Sequence, residues 1–184
     1  MSNYDPYTKL ELYLWSLLDL SPEVTARCKP GNRVKYCDTT KPDPLAKAEL
    51  LRADLPELEL RPIGIRAIPS NTSASMSEEV AFRLFVQTGQ MRTNGDGSTI
   101  TQSGVHPLMW HCKTAFVRAM DGNQMRFKAP SVPFLRKLRV QAIDQNREKG
   151  TDQNKPPDGW TAVLDIVAEC HFSLINDIGG FRGV

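Results

Sequence analysis

The sequence predicts an α+β fold: a mainly antiparallel sheet of about four strands packed against one or two helices, with a helical N-terminus. Three observations carry this expectation. Residues 160–174 place Trp160, Ala162, Leu164, Ile166, Ala168, Cys170, Phe172 and Leu174 on alternate positions, with the mostly polar Thr161, Val163, Asp165, Val167, Glu169, His171 and Ser173 between them. That period of two is the pattern of a strand, whose successive side chains leave on opposite faces. Two more strand-like stretches, residues 78–87 and 133–143, are separated by a helical stretch, residues 106–120. Strands in runs broken by one helix predict an α+β layer rather than a doubly wound parallel sheet.

In chain order, residues 5–20 predict the first helix. Asp5 supplies a cap, Pro6 suits the first position, and Leu10, Leu14, Leu17 and Leu18 form a stripe beside Trp15. Ser21, Pro22 and Glu23 open a second, short helix to about Arg27. Residues 29–32, KPGN, form a turn, and residues 33–36 a brief extended piece. Asp43 and Pro44 open a possible helix that ends before Pro56. Leu58, Leu60 and residues 63–68 read as a strand in which Pro62 and Gly64 imply an edge, a bulge or two pieces. Residues 69–77 form a polar turn region.

Residues 78–87 are a clearer strand, with Val80, Phe82, Leu84 and Val86 on one face and Ala81, Arg83, Phe85 and Gln87 on the other. Residues 88–104 hold four glycines and no periodicity, which predicts a loop. Leu108, Cys112, Ala115, Phe116 and Ala119 then make a helical stripe that stops at residues 121–123, DGN. In residues 133–143, Leu138, Val140 and Ala142 alternate with Lys137, Arg139 and Gln141. Residues 145–158 form a long polar connection, which favours an antiparallel pairing with the strand at 160–174.

The 184 residues suit one domain: a helical region at 5–56, a sheet core at 57–175 and a tail at 176–184 with a Gly179–Gly180 hinge. Twenty-three basic and 21 acidic residues leave a net charge of +2, which gives no argument for nucleic acid or an anionic membrane. No apolar run approaches the ~20 residues of a spanning helix. The first residues, MSNYDPYTKL, lack the pattern of a signal peptide, so a cytoplasmic setting is the expectation. Cys28, Cys37, Cys112 and Cys170 are widely spaced and would stay thiols in a reducing compartment.

No motif spells out a reaction. Cys28 and Cys37 are too far apart for a paired zinc ligand set, and neither His111–Cys112 nor Cys170–His171 can chelate as neighbours, so neither metal nor cofactor is expected. Asp165, Glu169 and His171 share the polar face of one strand and could form an acid/base cluster. No nucleophile or phosphate loop accompanies them, and an interface-facing strand has the same composition. Residues 94–97, NGDG, lack the spacing of a calcium loop. Arg136, Lys137 and Arg139 form a small basic cluster. Phe82 and Phe85 lie on opposite faces of their strand and cannot build one stacking platform for RNA.

The order of elements resembles the tail-terminator and tail-completion proteins of long-tailed bacteriophages. The resemblance runs through the Leu-rich first helix, the turn from Gly31 to Tyr36, and the Pro-flanked segment at 58–69. It continues through the strand at 80–89, the helix at 107–120 and the closing strand pair at 135–143 and 160–174. Residues 38–56, 88–104 and 145–158 stand as insertions to that outline. The resemblance implies a non-enzymatic virion protein that forms a homo-oligomeric, hexameric ring. The ring would cap the tail tube and join it to neck proteins, in the virion tail and, during assembly, in the host cytoplasm. DNA would pass through without being specifically bound. Asp165, Glu169, His171, Arg136, Lys137, Arg139 and the tail residues Phe181 and Arg182 become interface candidates. A head–tail connector or tube adaptor is the alternative of the same class. A small enzyme or a nucleic-acid-binding module are the alternatives of others.

Overall fold

The structure is a computed structural model, and it describes residues 5–35, 56–69, 75–89, 104–121, 124–125, 132–147 and 160–173. The elements are α1 (Pro6–Asp19), α2 (Pro22–Arg27), a 3-10 turn (Pro30–Asn32), β1 (Arg33–Lys35), β2 (Glu57–Ile68), β3 (Ser75–Thr88), α3 (Val105–Arg118), β4 (Met120–Asp121), β5 (Gln124–Met125), β6 (Leu135–Arg147) and β7 (Trp160–Ser173). The five-stranded sheet has the order β1-β2-β3-β7-β6. Its four long strands pair antiparallel, and only the short β1 runs parallel to its neighbour β2. The fold is α+β. No helix among the described residues is long and apolar enough to cross a membrane.

The strand with the longest alternation occupies an interior position, between β3 and β6. Ala162, Leu164, Ile166, Ala168, Cys170 and Phe172 are all buried, and each residue between them is half-buried. The matching face of β3, Val80, Phe82, Leu84 and Val86, is buried as well. Both helices cover this side. Leu10, Leu14, Trp15 and Leu18 of α1 and Leu108, Cys112, Ala115 and Phe116 of α3 join the strands in one core. The Tyr7 ring meets Phe172 edge-on at 6.1 Å, and the Phe134 ring packs tilted against Phe172 at 5.0 Å. At ~1.5–3 kcal/mol per large side chain, this shared face is the main stabilising surface.

The helices start where local chemistry allows. Asp5 Oδ1 accepts from the amides of Tyr7 at 2.9 Å and Thr8 at 3.0 Å, and the Thr8 hydroxyl donates to Oδ2. Those bonds, the Thr8 hydroxyl first, hold the Asp5 carboxyl below its ordinary range. Gly104 precedes α3 with φ 104°, a left-handed conformation that a side chain would strain. Between α1 and α2, Arg33 is buried, pairs with Asp19 and donates to the Cys28 carbonyl at 3.1 Å.

Three register shifts organise the outer strands. The register of β2 shifts between Pro62 and Gly64, so the bulge is the outcome of the three that the sequence allowed. Before it, Leu58 and Leu60 face the helices; after it, Ile65 lies opposite Val80 on that side. The register of β6 shifts between Leu135 and Lys137 and again between Ala142 and Asp144.

Several boundaries differ from expectation. Residues 75–77 continue β3 instead of forming a turn, because each pairs across to the end of β7. Residues 145–147 belong to β6 and pair with the start of β7. After α3 the chain does not simply stop at 121–123; Met120–Asp121 and Gln124–Met125 pair as a minimal hairpin. Ala142 lies opposite Leu164 but is exposed on its outer strand. The possible helix after Asp43, most of the Gly-rich loop and of the polar connection, and the tail at 176–184 lie outside the described residues.

Candidate interface on the open sheet face

The sheet face turned away from the helices is built by the intervening positions of four strands. Cross-strand partners run Glu59–Phe85–Val163, Arg61–Arg83–Asp165–Gln141, Gly64–Ala81–Val167–Arg139, and Arg66–Glu79–Glu169–Lys137. Two of these rows juxtapose like charges: Arg61 stands opposite Arg83, and Glu79 opposite Glu169. Like charges directly opposite destabilise a sheet.

The flanking residues resolve both conflicts. Arg83 meets both oxygens of Asp165, Nε to Oδ1 at 2.7 Å and Nη2 to Oδ2 at 3.0 Å. Hydrogen bonding to Asp165 holds the guanidinium even more firmly protonated. Arg61 turns to Glu59 instead, with bonds of 2.7 and 2.8 Å, and its guanidinium lies over the Phe85 ring at 4.6 Å. Arg139 pairs with Glu79 across β7, and Lys137 stands opposite Glu169. Ion pairs this exposed contribute little each, ~0.2–1 kcal/mol, so they fix side-chain positions more than they hold the fold. At one end of the face, Ser77 Oγ and His171 Nδ1 are 2.9 Å apart.

Asp165, Glu169, His171, Lys137 and Arg139 thus come together on one face. Arg136 does not share their register; it is the extra, exposed residue of the β6 bulge, because the shift there gives it no partner on β7. Phe181 and Arg182 lie outside the described residues. Sequence reasoning missed Glu59, Arg61, Ser77, Glu79, Arg83 and Phe85 as members of this face. The period of β3 placed Arg83 and Phe85 on its polar side, but nothing local could name their partners.

Between the ion pairs the face carries apolar groups, Ala81, Phe85, Val163 and Val167, all half-buried. The described side chains show no cluster of His, Cys, Asp and Glu that could hold a metal ion. Cys28, Cys112 and Cys170 are buried free thiols, and burial pushes Cys28 and Cys170 up to about 12 and Cys112 higher still. They pack as small apolar groups. The face can therefore present interleaved charges and apolar side chains on rigid strands, a composition suited to protein contact. No protein-family model matches the sequence, and no curated protein matches it.

Proposed function

We propose that this protein is a non-enzymatic assembly component of a phage particle. In this reading it is a tail-terminator or tail-completion protein that works as a homo-oligomeric, hexameric ring. The ring caps the tail tube and connects it to the neck proteins. It resides in the virion tail, having assembled in the host cytoplasm. DNA passes through it without sequence-specific contacts.

One observation carries the reading. Among the described residues, helices cover one side of a sheet with strands of up to 14 residues, and its other face interleaves ion pairs with half-buried Phe85, Val163 and Val167. Such a face gains from meeting another protein surface, where its apolar groups lose water and its charges are already positioned. A head–tail connector or tube adaptor would use the same face, and the order of elements supports the terminator.

A second reading, a small enzyme, draws on the Ser77–His171 contact, since a hydroxyl beside an imidazole is the start of an activated nucleophile. Among the described residues no carboxylate is hydrogen-bonded to that imidazole, so the assembly reading is better supported.

Light scattering of the purified chain, with mass spectrometry of purified particles, tests the proposal. A mass that is a multiple of 20.6 kDa, together with the chain's presence in virions, is expected. A strict monomer absent from virions would overturn it.

A further inference from the structure

We propose that the outward stripe of α3, centred on Trp110 and Val117, docks an acidic amphipathic helix of a partner protein. This inference does not depend on the assembly reading. Val105, Leu108, Cys112, Ala115 and Phe116 are the buried residues of α3, and they belong to the core shared with α1 and the strands. With about 3.6 residues per turn they occupy one side of the helix. Trp110, Lys113, Thr114, Val117 and Arg118 fall together on the opposite side.

The centre of that stripe is apolar. Trp110 is 60% and Val117 52% exposed, and two turns of helix bring them into one line. A single exposed apolar side chain is ordinary on a protein surface. An indole and a valine in line, on a rigid helix, form a patch that one partner can cover as a unit. Tryptophan is also the side chain that most often anchors a protein contact, because its large ring offers much apolar area at little entropic cost.

The rim sets the sign of the partner. The α3 sequence, VHPLMWHCKTAFVR, contains no Asp or Glu. Its Lys113 and Arg118 flank the Trp110–Val117 line, one on either side. Arg118 is 66% exposed and meets Glu23 of α2 at 3.5 Å, a loose pair that a second carboxylate can share. A partner helix would lay its apolar stripe on Trp110 and Val117 and bring Asp or Glu beside it to Lys113 and Arg118. From Trp110 to Arg118 the line is about 12 Å long, so the contact belongs to the small, transient class.

Other occupants match this chemistry less well. The α3 stripe of a second copy would bring the same cations. The open sheet face of a second copy pairs Glu59 with Arg61, Asp165 with Arg83 and Glu79 with Arg139, so it offers no acidic surplus. Lys113 and Arg118 fall short of the ~4–8 cations of a cluster that binds anionic lipid. Nucleic acid draws its affinity from many phosphate contacts, and a chain of net charge +2 has few to give.

Fluorescence anisotropy on full-length protein tests this with two labelled helical peptides. One carries a leucine stripe flanked by glutamates, and the other has lysines in place of the glutamates. The Glu peptide should bind with a Kd of ~1–100 μM, as a small interface allows, and the Lys peptide at least ~10-fold more weakly. Trp110→Ala should weaken the Glu peptide at least ~10-fold. Lys113→Glu, with the indole intact, should reverse the preference between the peptides. Both positions lie off the buried stripe, so circular dichroism should be unchanged. Equal binding of the two peptides, no binding of the Glu peptide to folded protein, or no effect of Trp110→Ala would overturn the proposal. Binding of oligothymidylate or of anionic vesicles in place of the Glu peptide, lost in Trp110→Ala, would also overturn it, by assigning the stripe to nucleic acid or membrane.

Discussion

Arg83 on β3 and Asp165 on β7 form a two-point ion pair, at 2.7 and 3.0 Å, on the two interior strands of the open face. Both oxygens of the carboxylate are engaged as acceptors. Asp165 is therefore committed to a pairing role, and it gives Arg83, which stands opposite the like-charged Arg61, a compensating charge.

Replacing Asp165 by Ala should cost about 0.5–1 kcal/mol in urea unfolding, because the arginine left behind is 38% exposed and can turn to water. A double-mutant cycle with Arg83→Ala should return most of that as coupling energy. A loss above ~3 kcal/mol would mean that the pair is part of the core.

The covered face behaves differently. Phe172 is 1% exposed and touches both Tyr7 and Phe134, so Phe172→Ala should destabilise by about 3–5 kcal/mol through lost burial and a cavity. Leu20, 79% exposed, should tolerate Ser within ~0.5 kcal/mol. Both are read from denaturant midpoints.

These contrasts show what was legible in the chain. The strand at 160–173 was readable because its apolar period of two survives without interruption, and burial follows that period residue for residue. The outer strands were harder. A bulge reverses the facing of every later side chain, so Ile65 and Arg66 exchange the roles that a regular strand would give them. Arg136 and Lys137 looked like one cluster because adjacency in sequence hides the bulge between them. The Arg83–Asp165 pair was not legible at all: it joins residues 82 apart, and register is set by long-range packing. Glu59, nearly fully buried yet acidic, resembles a surface residue until Arg61 and Phe85 are seen beside it.

Alkaline pH should unfold the protein early. Burial first, then the Glu78 carboxylate that accepts its hydroxyl at 2.8 Å, push the Tyr7 phenol from 10.0 up to about 12. Burial pushes Cys28 and Cys170 from 9.0 up to about 12. The folded chain thus holds these protons more tightly than the unfolded one. Their contribution is complete below pH 9 and is lost as pH rises through 9–12. Tm measured against pH should fall from about pH 9 and steepen above 10, and Tyr7→Phe should soften the second part. A flat profile between pH 9 and 11 would contradict this account.

The same burial predicts thiol protection. In native protein at pH 8, Cys28, Cys112 and Cys170 should resist alkylation and label fully only in denaturant, as mapped by mass spectrometry. Rapid native labelling of any of the three would mean that the core opens locally.

We propose above that the open sheet face serves ring assembly at a phage tail. Electron microscopy of purified particles, with the chain located by a bound antibody fragment, tests it most directly. The account predicts a six-fold ring of this chain where the tail tube meets the neck, with the face bearing Arg83 and Asp165 against a neighbouring subunit or the ring's lumen. Particles whose tail–neck junction is built without this chain would contradict it.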